Sequence, residues 1–138
     1  MKVLAVGNGA REHAIVKKLA QEPVEIVAAM AKLNPGIAAL SKQVDIIDLN
    51  KPENYTKYRD VDMAFIGPET PLAAGIANYL MDMGIPTVGP VKETAKLEWS
   101  KTYARTVLNE NGIQGNPEYK ICRSISEVKE FLDFLVAQ

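Results

Sequence analysis

The chain has 138 residues, about the size of one domain, with 16 basic residues against 17 acidic ones for a net charge of −1. That balance gives no field to gather nucleic acid or an anionic membrane, and the longest basic cluster is Lys17-Lys18. The few apolar residues before Gly7 are too short for a signal-peptide core and no stretch approaches a membrane span, so a cytoplasmic protein with neither nucleic-acid nor membrane partners is expected.

In chain order, apolar strands alternate with helical patterns. Strands are expected over Lys2 to Gly7, Glu25 to Met30, Val44 to Leu49, Asp62 to Gly67 and Thr87 to Gly89. Most are nearly continuous apolar runs, which means burial on both faces: a parallel sheet with helices on either side, an α/β Rossmann-like architecture. The first helix, about Arg11 to Gln21, places Ile15, Val16 and Leu19 toward the sheet. The clearest helix follows Pro71, with Leu72, Ile76, Tyr79, Leu80 and Met83 recurring at helical spacing until Gly84 stops it. A last helix, Ser126 to Ala137, carries Val128, Phe131, Leu132 and Leu135 on one face. That face must be covered, by folding back on the sheet domain or by a second copy of the chain, so self-association is expected.

The chemistry concentrates in the turns. Val6 runs into Gly7-Asn8-Gly9, and the following helix opens with Arg11, Glu12 and His13. Glycines let a ligand approach the backbone, the free N–H groups of a helix start point at it, and the helix dipole favours negative charge there. A phosphate is the natural guest. A dinucleotide fold also begins this way, but its fingerprint needs a small residue where Glu12 stands and an acid at the end of the second strand, where the run ends in Lys32. A plain strand-to-helix turn with solvated Arg11 and Glu12 is the bland alternative. Glu69, between Pro68 and Pro71 after Gly67, reads either as a carboxylate aimed at hydroxyls or an amine, or as an acid complementing a helix start. The turn Asn34-Pro35-Gly36 follows the second strand. Ser100 reads as a helix N-cap with Lys101 behind it, a lysine either solvated or with a sheltered stem beside Leu97, Ala104 and Leu108. Cys122 reads as a small buried hydrophobe, and the single histidine, His13, leaves a zinc site without a ligand set.

Taken in order, Gly7-Asn8-Gly9-Ala10-Arg11-Glu12-His13, Gly67-Pro68-Glu69-Thr70-Pro71-Leu72, Val88-Gly89-Pro90 and Leu97-Glu98-Trp99-Ser100-Lys101 resemble the N-terminal part of the glycinamide ribonucleotide synthetase family of the ATP-grasp superfamily. The resemblance implies a pre-ATP-grasp, Rossmann-like substrate-binding domain over 1–99, and the beginning of the ATP-grasp region over 100–138. It implies ATP-dependent joining of glycine to 5-phosphoribosylamine in purine biosynthesis, with ATP as co-substrate and magnesium or manganese as the metal. By this likeness the backbone N–H groups around Gly7, Asn8 and Gly9, with Arg11 as a bidentate donor, meet the substrate phosphate, Glu69 and the Pro35-Gly36 turn face the ribose or amine, and Glu12, Gly67 and Pro68 belong to the same substrate site. His13 supports the loop and Lys101 approaches the nucleotide phosphates. Trp99 stands where the family usually has glycine. The family's ATP and metal sites lie beyond residue 138, so no catalytic residue or metal ligand is expected here, and the fragment alone is not expected to catalyse ligation. A free-standing module that senses a phosphorylated metabolite or nucleotide, and an interaction domain with a vestigial loop, are the competing readings from other classes.

Overall fold

The computed structural model describes residues 1–137. These form two compact units, 1–99 and 100–137. In the first, β1 (Lys2–Val6), α1 (Ala10–Leu19), β2 (Glu25–Met30), α2 (Pro35–Leu40) and β3 (Gln43–Ile46) are followed by a 3-10 turn at Pro52–Tyr55. Then come β4 (Met63–Ile66), α3 (Glu69–Ala73), α4 (Ile76–Asp82), β5 (Thr87–Val88) and α5 (Lys92–Trp99).

The five strands pair in parallel in the order β3-β2-β1-β4-β5. Alternation along the strands divides the core into two layers. On one face Val3, Ala5, Ile26, Ala28 and Phe65 pack with Val16 of α1 and Ile37 of α2. On the other, Leu4, Val6, Val27 and Ile66 pack with Tyr55, Leu72, Ile76 and Leu80. The expected parallel sheet with helices on both faces is therefore what the chain builds. The strand order reverses at β1, between β2 and β4, and such a switch point opens a crevice outside the carboxyl ends of those strands. The loops after β1 and β4 both lead into it.

Local expectations need correction in several places, among them α2, which forms where only a turn was expected, and β3, which ends at Ile46 instead of Leu49. Ile15 is 43% exposed; the face of α1 turned to the sheet is Glu12, Val16 and Leu19, spaced four and three apart. The helix after Pro71 is two helices, because Gly75 takes a left-handed backbone (φ 84°) between α3 and α4. Helix α5, which the sequence reading did not anticipate, buries Ala95 on the second core. Cys122 is only half-buried.

The second unit holds α6 (Lys101–Glu110) and α7 (Ile125–Val136). Ser100 caps α6, its Oγ accepting the Tyr103 N–H at 3.3 Å, as the sequence suggests. Arg105 and Asn116 bracket the turn after α6, with Nη1 donating to Oδ1 at 3.0 Å and Nδ2 returning to the Arg105 carbonyl at 3.2 Å. On α7, Val128, Leu132 and Leu135 are exposed.

Candidate functional site

The loop Gly7-Asn8-Gly9 takes its shape from what lies beneath it. Glu12 points inward and is 3% exposed, a charged residue on the core-facing stripe of α1. Its Oε2 accepts the Gly9 N–H at 2.6 Å, and its Oε1 is buried with no hydrogen-bond partner among the described residues. Three glycines make room for it. A Cβ on Gly7 would lie 2.7 Å from Glu12 Cγ, one on Gly9 2.6 Å from Glu12 Oε2, and one on Gly67 would collide with the same carboxylate. Gly7 also has a φ of 127°, open only to glycine at low cost. Glu12 thus ties the loop after β1 to the loop after β4.

This alters which groups can meet a ligand. The Gly7 N–H donates to the Ala29 carbonyl at 2.9 Å and the Gly9 N–H is taken by Glu12, so neither is available to a phosphate. The N–H groups of Asn8, Ala10 and Arg11 have no partner among the described residues, and the latter two open the ten-residue helix α1. Glu12, expected at the substrate site, is buried beneath the two loops, with its carboxylate against Gly9 and Gly67. Its spacing with Val16 and Leu19 was the signal that could have revealed this.

The remaining residues fall into place around the loop. Arg11 and Glu69 are both exposed, and Nη2 of one lies 3.8 Å from Oε2 of the other, so the two loops meet through opposite charges. Gly67 and Pro68 are half-buried between β4 and α3. His13 is half-buried and its ring lies on Gly36, where a Cβ would overlap it. Pro35 is the exposed first residue of α2, and the Gly36 N–H is occupied by Asn34 Oδ1 at 3.0 Å. Asn34, absent from the expected site, also donates from Nδ2 to the Asn8 carbonyl at 3.0 Å. The Asn-Pro pair before a helix was its sequence signal.

Lys101 belongs to the second unit and is exposed at the first position of α6, without the sheltered stem that its apolar neighbours suggested. It lines a groove of about 270 Å³ with Arg105, Tyr119, Lys120 and Cys122. Trp99 ends α5 in ordinary backbone, since no described non-glycine residue has a positive φ. A larger open groove, about 670 Å³, lies between Leu108 and Ile121. Volume is a poorer guide here than chemistry, because the free N–H groups and the Arg11–Glu69 pair converge at the glycine loops. Among the described residues no cluster of three or more His, Cys, Asp or Glu side chains could hold a metal ion. Nor is any helix among the described residues long and apolar enough to cross a membrane.

Comparison with known proteins agrees with this architecture. Residues 1–98 match the family described as "Phosphoribosylglycinamide synthetase, N domain". Phosphoribosylamine–glycine ligase of Methanosarcina barkeri is 43% identical over 98% of the chain and 32% of the relative's length. The protein of that name from Pyrococcus abyssi is 43% identical over 96% of the chain and 31% of its own. The chain thus spans about a third of the length of the curated relatives it matches. Among solved structures, phosphoribosylglycinamide synthetase of Anaerococcus prevotii superposes with a TM-score of 0.65 at 17% identity, over 96% of this chain and 34% of that one. N5-carboxyaminoimidazole ribonucleotide synthetase of Thermotoga maritima gives 0.71 at 17% identity, over 94% and 36%. At that identity these two likenesses speak for the fold, and the match over residues 1–98 speaks for the family: the chain belongs to the phosphoribosylglycinamide synthetase family and carries its N domain.

Proposed function

We propose that the chain is the N-terminal part of an ATP-dependent ligase that joins glycine to 5-phosphoribosylamine, and that its first unit binds the phosphoribosyl substrate. The observation that carries the reading is the unpaired N–H groups of Ala10 and Arg11 beside the Arg11 guanidinium, at the switch point of a parallel sheet. A phosphate there gains hydrogen bonds from the helix start and a bidentate cation. Glu12 is a counterweight. Its carboxylate already occupies the Gly9 N–H, so a second anion relies on Arg11 and the α1 dipole to offset that charge.

The Arg11–Glu69 pair suggests how the rest of the substrate is met. A phosphate competes with Glu69 for the guanidinium, and the released carboxylate can accept a hydrogen bond from a ribose hydroxyl or the amine. Asn8 lends its N–H, while Gly7, Gly9, Gly36, Gly67 and Pro68 shape the loops, and Pro35 borders them. Lys101 is the chain's candidate for the nucleotide phosphates. In the whole ligase ATP would activate the glycine carboxylate as an acyl phosphate, which the amine then attacks. Magnesium or manganese finds no set of acidic ligands among the described residues, so no metal-dependent step is assigned to this chain.

Calorimetric titration of the chain with ribose 5-phosphate, glycinamide ribonucleotide, NAD and ATP tests the reading. Selective binding of the two ribose 5-phosphate compounds supports it. Preferred binding of NAD would instead mark a dinucleotide module, and no binding of any of the four would mark an interaction domain.

A further inference from the structure

One peptide unit in the glycine loop is gripped from both sides. The Asn8 carbonyl and the Gly9 N–H belong to the same rigid plane. Its oxygen accepts from Asn34 Nδ2 at 3.0 Å, and its N–H donates to Glu12 Oε2 at 2.6 Å. Asn8 returns the contact, its own Oδ1 accepting the N–H of Ala31 at 3.1 Å. Two hydrogen bonds between the same short segments restrain rotation as well as position. Asn34 meanwhile uses its other amide atom: Oδ1 accepts the N–H groups of Gly36 at 3.0 Å and Ile37 at 3.2 Å, capping α2. The position therefore needs an acceptor for the helix and a donor for the loop on one short side chain. Serine, threonine and aspartate can cap, but asparagine alone among the good caps also carries an amide donor.

We infer that Asn34 is a positioning residue for the ligand site. It fixes the Asn8–Gly9 peptide before a ligand arrives, so that the N–H groups opening α1 are presented in one arrangement. This rests on the phosphate-binding reading above, but the hold of Asn34 on the loop can be measured without any ligand.

The test compares the wild-type chain with Asn34→Ser and Asn34→Ala. Serine keeps a cap for α2 and loses the donor to Asn8, whereas alanine loses both. Amide hydrogen exchange is read at Gly9 and Ile37 without ligand, and affinity for ribose 5-phosphate is read by calorimetry. In Asn34→Ser, Gly9 should exchange at least about fivefold faster and affinity should fall by about two- to tenfold, the range of one net hydrogen bond, with Ile37 still protected. In Asn34→Ala both amides should exchange faster. Unchanged Gly9 exchange in Asn34→Ser would overturn the inference, and so would faster Gly9 exchange with unaltered affinity. If the wild-type chain binds no ribose 5-phosphate, the phosphate reading fails and the positioning role with it, while the Gly9 exchange rates still report whether Asn34 holds the loop.

Discussion

The Glu12 carboxylate fills the space that a side chain on Gly67 would need. The two residues are on different loops and 55 positions apart in a chain whose sequence marks neither as a partner of the other. Gly67→Ala should therefore destabilise the first unit through overpacking, by about 1–3 kcal/mol. In combination with Glu12→Ala the loss should be smaller than the sum of the single losses by more than about 0.5 kcal/mol, since the truncated side chain leaves room for the new methyl. Urea unfolding of the four proteins measures this. Strict additivity would mean the two residues do not share that space.

Arg11 and Glu69 should separate by ligand. Both are exposed and 3.8 Å apart, so the pair contributes little to folding and Arg11→Ala should leave stability within about 0.5 kcal/mol of wild type. It should weaken binding of ribose 5-phosphate by about 1.5–3 kcal/mol, the worth of a charge-assisted hydrogen bond. Glu69→Gln should weaken the ribosyl compound but not inorganic phosphate, which should bind somewhat tighter once the carboxylate that competes for Arg11 is neutral. Calorimetry with both ligands decides it; an equal loss for both in Glu69→Gln would make that residue merely structural.

Acid should expose the role of Asp45 on β3. Burial pushes its carboxyl pKa up, but hydrogen bonds from Lys57, Gln43 and Tyr58 outweigh that and hold it below the usual carboxylate value. A carboxyl with a depressed folded-state pKa stabilises the fold above its unfolded pKa of about 3.9 and loses that contribution as pH falls through the folded value. The stability gap between wild type and Asp45→Asn should be constant above about pH 5 and shrink below about pH 4. Unfolding midpoints across that range measure the gap, and a gap that widens in acid would contradict the assignment.

The sheet and its two-faced burial were legible because strands such as Glu25–Met30 are continuous apolar runs, a pattern with few alternatives. The two glycine loops were legible as turns at strand ends. Their inner wiring was not. Glu12 looks like a surface residue by type, and only its spacing with Val16 and Leu19 hints that it turns inward. The break at Gly75 was hidden by an apolar stripe that keeps its period across two helices. Asn34 was readable only as part of a turn; its cap on the short helix α2 was not anticipated, and its bond to Asn8 depends on tertiary proximity that no local pattern encodes.

The central claim is that the start of α1 receives the phosphate of a phosphoribosyl compound. Amide chemical-shift mapping of the chain during titration with glycinamide ribonucleotide tests it most directly. The account predicts saturable shifts at Ala10, Arg11 and Glu69, which in Arg11→Ala need at least about tenfold more ligand to appear. Shifts absent from these three amides at saturating ligand, or the same shifts produced at lower concentration by NAD, would contradict it.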